Sequence, residues 1–124
     1  MKIIGKNPIT GLDYPDPDVI RVDDTYYMVS TTMHFVPGCE ILRSYDLVHW
    51  EHLSYVYERL DSTEEQRLVG EKNCYGKGMW AASLRYHKGM YYICFVANDT
   101  GKTYLYTADN IDCLLYTSPS PRDL

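Results

Sequence analysis

The chain has no long apolar run. Its longest wholly apolar stretch, MYYICFVA at Met90–Ala97, falls far short of the roughly 20 residues a membrane-crossing helix needs. It also has no block of like charges. Lys and Arg number 12 against 17 Asp and Glu, a formal net charge of −5, without the basic patch that nucleic acid or an anionic membrane calls for. The expected partner is small and neutral, or another protein. There is no C-x-x-C: Cys39, Cys74, Cys94 and Cys113 are scattered, so neither a zinc site nor a disulfide framework is indicated. Cys94 reads instead as a small buried hydrophobe in a strand. In HWEH, His49 to His52, strand alternation sends the two histidines to opposite faces, which argues against shared metal ligation. At the N-terminus, Gly5, Lys6 and Pro8 interrupt any apolar core of a signal peptide, so a cytoplasmic location is expected.

What is present reads as all-β. The 13 tyrosines and the β-branched residues gather in short runs bounded by Gly, Pro and Asp. Candidate strands are Val19–Val22, Tyr26–Thr32, Glu40–Ser44, His49–Tyr57, Ala81–Tyr86, Met90–Ala97 and Thr103–Thr107. An internal repeat accompanies them. VIRVDDTYYMV sits beside SLRYHKGMYYICF, and ILRSYDLV beside YLYTADNI, after about 63 to 65 residues. With four strands per unit, that is the pattern of β-propeller blades, one complete and most of a second. Between the units, Glu58–Met79 is charged and glycine-bearing. Ser62 with Glu65 fits a capping box, which predicts a short helix over Thr63–Val69.

The first strand is entered through YPDPDV. Pro15 and Pro17 fix their own φ and lack an N–H, and Pro17 is expected to push Asp16 into an extended conformation. Two readings stand for Asp16 and Asp18. They are turn residues accepting backbone hydrogen bonds, or a carboxylate is being held in place at the mouth of a strand.

The end of the chain differs from the rest. Residues Cys113–Asp123 carry a Ser/Pro alternation and, back-translated, resemble the end sequence of transposase-based sequencing adapters. The expected division is therefore 1–112 as natural propeller sequence and 113–124 as an adapter-derived tail.

From Asn7 to about Ile111 the chain resembles glycoside hydrolase family 43, which includes β-xylosidases and α-L-arabinofuranosidases. The carriers, in order, are NPITGLDYPDPDVIRVDDTYYMVSTT, FVPG at Phe35–Gly38, ILRSYDLVHW at Ile41–Trp50 and MWAASLRYHKGMYY at Met79–Tyr92. The resemblance implies a five-bladed propeller, here truncated, and an inverting glycosidase in which Asp16 is the general base. Such a base activates a water on the face opposite the leaving group, across a gap of roughly 6.5–9.5 Å from the general acid. Asp18 then has a structural role. The family pattern further implies Phe35, His34 and Trp80 as sugar-binding residues, since sugar rings pack on aromatic faces. Trp80 has packing between blades as an equal alternative, and Trp50 is assigned to packing.

The family's glutamate acid and second aspartate come from later blades, and no residues here correspond to them. Asp61, Glu64 and Glu71 are not recommended as replacements. The 124-residue chain is thus predicted to lack hydrolytic activity itself and, with uncovered blade edges, to aggregate or populate loose states. No cofactor is expected; some relatives hold calcium in the channel, but nothing in this chain supports such a site. Two alternatives remain: a non-catalytic sugar-binding propeller module, and a fructan- or sucrose-cleaving propeller glycosidase, from whose Asn-Asp-Pro-Asn element PDPD departs.

Overall fold

The computed structural model describes residues 5–32, 38–57, 79–97, 101–111 and, as backbone, 122–123. The expected helix over Thr63–Val69 lies outside these residues, as does the charged insertion up to residue 78. Strands β1 (Asp18–Val22), β2 (Thr25–Ser30), β3 (Gly38–Ser44) and β4 (Glu51–Tyr57) form one sheet. Strands β5 (Ser83–His87), β6 (Met90–Ala97), β7 (Lys102–Ala108) and β8 (Arg122–Asp123) form the second. Each is an antiparallel meander in sequence order. The last strand comes from the adapter-like segment and pairs with the edge of β7 at Lys102 and Thr103, a position open to any extended segment.

The two sheets stack face to face around one core. Tyr27, Val29, Ile41, Val56 and Tyr57 of the first sheet meet Leu84, Tyr91, Ile93, Phe95, Tyr104 and Tyr106 of the second. Tyr57 stacks on Phe95 at 5.4 Å, and Tyr27 meets Tyr91 edge-on at 5.7 Å. Such aromatic pairs contribute about 0.5–1.5 kcal/mol each beyond their buried area.

Alternation along the strands gives every blade one face toward its predecessor and one toward its successor. Cys94 lies on the face of the second blade turned away from the first and is exposed, whereas Cys39 is buried; the sequence expectation for Cys94 is corrected accordingly. Burial pushes the Cys39 thiol well above its ordinary pKa. The same alternation sets the phase of the repeat. A spacing of 63 would equate Ile41 with Tyr104, yet Ile41 pairs with Val29 toward the second blade, while Tyr104 pairs with Phe95 toward the first. A spacing of 64 equates Ile41 with Leu105 and keeps the faces matched; a one-residue slip would turn every side chain over.

Residues 5–14 run across the other face of the first blade. Met28 is buried there, in a cleft of about 350 Å³ lined also by Asn7, Tyr14, Leu47 and Trp50. Burial, then the nearby Glu40 charge, raises the Tyr14 pKa.

Strand β4 begins at Glu51, two residues later than the sequence suggests, because His49 and Trp50 belong to a turn built on Asp46. Asp46 Oδ1 accepts the N–H groups of Val48 (2.9 Å) and His49 (2.8 Å), and Oδ2 lies 2.7 Å from His49 Nδ1. Trp50 Nε1 donates to the carbonyl of Leu47 at 3.1 Å. The side-chain bond with His49, followed by these backbone donors, holds the Asp46 carboxyl below the usual carboxylate range. A carboxylate whose folded pKa is depressed contributes stability that is complete above its unfolded value of about 3.9 and is lost as pH falls through the folded one. In the complete protein the Tm gap between native Asp46 and Asp46→Asn is therefore expected to narrow from pH 7 to pH 3. A gap that widens on acidification would refute the linkage.

Candidate active site

β1 and β5 are the innermost strands of their blades and pack side by side. Asp18 joins them: its Oδ2 accepts the N–H of Leu84 and the Arg85 Nη1 donor, both at 2.9 Å. The aspartate is therefore structural, as expected, but its partners stand 66 and 67 residues away rather than in its own turn. A carboxylate accepting two donors, one of them cationic, makes a strong orienting contact between the blades.

Asp16, two residues earlier, is exposed and takes a φ of 48°. The extended conformation expected from the sequence is corrected here. Pro17 disfavours the right-handed α region for the residue before it, and Asp is among the few non-glycine residues that tolerate the left-handed one. Residues held in such conformations cost energy and persist where the surroundings over-determine them, often at functional sites. The surroundings are visible one residue upstream. The Pro15 carbonyl accepts Ser30 Oγ at 2.9 Å and the Thr31 N–H at 3.3 Å.

Trp80 stands before β5 much as Asp16 stands before β1. Its backbone N–H donates to Val96 at 2.9 Å, and the residue is 44% exposed. An indole that exposed is not sealed between the blades, so a packing role does not exhaust it. The two positions are connected. The Thr31 hydroxyl, buried, donates to the carbonyl of Met79 at 2.8 Å, directly before Trp80. His34 and Phe35 lie outside the described residues. Sequence reasoning missed Ser30 and Thr31, although a polar Ser-Thr-Thr closing the apolar run YYMV was a signal that those hydroxyls have partners.

Stacked four-stranded meanders, with their innermost strands side by side and an exposed carboxylate at one strand mouth, define a piece of a β-propeller carrying a polar site at its central end. The chain belongs to the glycosyl hydrolases family 43, whose model matches residues 5–120, and it forms part of that family's five-bladed propeller. It is 42% identical over 86 residues to a β-xylosidase of Formosa agariphila, a match covering 69% of this chain and 14% of the relative. To the non-reducing end α-L-arabinofuranosidase BoGH43B of Bacteroides ovatus it is 39% identical over 89 residues, covering 71% and 16%. A solved bifunctional GH43-CE protein of Bacteroides eggerthii superposes with a TM-score of 0.91 at 44% identity, covering 96% of this chain and 15% of that one. The matches thus span between about a seventh and a fifth of the length of the curated relatives.

Proposed function

We propose that these blades belong to an inverting, exo-acting pentosidase, a β-xylosidase or α-L-arabinofuranosidase, that releases single sugars from short plant-type oligosaccharides. Asp16 is its general base. The observation that carries this reading is an exposed aspartate in a left-handed backbone at the mouth of the innermost strand. A carboxylate at that place reaches the centre of the ring, where it takes a proton from the water attacking the anomeric carbon. Trp80 offers a face for the sugar's C–H surface, and the family resemblance adds His34 and Phe35 as sugar-binding residues. In this reading the general acid and a second aspartate come from later blades, and the activity is that of the full-length protein. The names of the relatives support the substrate class; xyloside against arabinoside is decided by walls these two blades do not supply.

The test is proton NMR of the first product anomer when the full-length protein acts on nitrophenyl β-xyloside and α-arabinofuranoside. The inverted anomer is expected. A retained anomer would make Asp16 a nucleophile instead, and no turnover at all would favour a sugar-binding module.

A further inference from the structure

The strongest unassigned feature is the pair of hydroxyls behind Asp16. Ser30 ends β2 and Thr31 follows it, at 1% and 3% exposure. Ser30 Oγ and the Thr31 N–H both donate to the Pro15 carbonyl, one peptide unit before Asp16. The Thr31 hydroxyl reaches the other way, to the Met79 carbonyl at 2.8 Å, one peptide unit before Trp80. One residue therefore grips the backbone on the aspartate side with its amide and the backbone on the tryptophan side with its side chain.

The consequence follows from what a general base must do. It has to stand within hydrogen-bond reach of a water while the sugar ring is held elsewhere, and a misplacement of about 1 Å costs on the order of a hundredfold in rate. Asp16 lies in blade one and Trp80 in blade two, so their separation is set by whatever fixes one strand mouth against the other. The Asp18 bond to Leu84 and Arg85 fixes the strands further along. Thr31 does so at the mouth itself, where an exposed left-handed residue has the least support of its own.

We propose that Thr31, backed by Ser30, is a positioning residue of the catalytic base, setting the distance between Asp16 and the Trp80 sugar platform. This rests on the reading of Asp16 as the base, and the experiment keeps the two apart. In the full-length enzyme, Thr31→Val, Thr31→Ser and Ser30→Ala are made with Asp16 present and in an Asp16→Asn background. Each is assayed for kcat and KM on an activated aryl pentoside, with Tm measured alongside.

With Asp16 present, Thr31→Val is expected to lower kcat about tenfold or more, KM to move less than kcat, and Thr31→Ser to recover most of the loss. In the Asp16→Asn background the same change should cost less than about twofold, because groups acting as a unit are not additive. Equal losses in both backgrounds, or a lowered Tm with kcat intact, would overturn the positioning role and leave the base assignment standing. Full activity of Asp16→Asn by itself would overturn both. Should Thr31→Val not fold, Ser30→Ala carries the same comparison, and an Asp16-independent loss there decides against the proposal.

Discussion

If Asp16 is the general base proposed above, asparagine at position 16 is expected to lower kcat of the full-length protein by about two to four orders of magnitude while leaving its Tm within about 2 °C. The substitution removes the proton acceptor and little else. An amide cannot take a proton from the attacking water, yet asparagine tolerates the left-handed region at least as well as aspartate does, so the backbone at φ 48° keeps its shape. Because the lost interaction exists only as the water is deprotonated, kcat and kcat/KM should fall together and KM should stay nearly constant. Alanine at the same position is a poorer test: it lacks the local hydrogen bonding that makes the left-handed backbone tolerable, and it mixes a folding effect with a chemical one. Retention of more than a tenth of the native kcat by Asp16→Asn would remove Asp16 from the chemistry.

Local pattern made the strands legible. Met90–Ala97 is bounded in the sequence as it is in the fold, because apolar residues on both of its faces are what a central propeller strand between two blades requires. Strand ends were less legible. Tyr26–Thr32 was expected, but β2 runs Thr25–Ser30; just beyond it the Thr31 hydroxyl donates to the carbonyl of Met79, a partner 48 residues distant that no local pattern reveals. The Asp18 bond to Leu84 was invisible for the same reason. For Asp16 the motif singled out the residue, and its role as general base is the proposal made above; the conformation went the other way, since the rule for residues before proline favours extended backbone whereas Asp16 takes the left-handed region that aspartate tolerates. The repeat was found with one of its pieces out by one. Spacing read from similar letters does not distinguish the two faces of a strand, whereas pairing does.

Gly38→Ala is expected to be the most damaging small substitution among the described residues of the first blade. Gly38 opens β3 directly opposite Tyr57, and a Cβ built on it would overlap Cζ and Oη of that ring. Tyr57 has nowhere to go. It is 2% exposed and stacked on Phe95 at 5.4 Å and on Tyr106 at 6.3 Å, so it belongs to the seam between the blades. Either the ring leaves that seam, forfeiting its stacking, or the start of β3 unpairs. Overpacking of this kind costs about 1–3 kcal/mol and sometimes more, and the rigidity of the acceptor argues for the upper end. In the full-length protein, with roughly 2–4 °C lost per kcal/mol, Tm should fall by about 5–10 °C. The mechanism is checked by a second change. In a Tyr57→Leu background, itself destabilised by the lost ring, adding Gly38→Ala should cost less than about 1 kcal/mol, a coupling that distant sites do not show. Full additivity would mean that the glycine serves something other than the approach of the ring, and a Tm within 1 °C of native for Gly38→Ala alone would mean that the seam is looser than its packing implies.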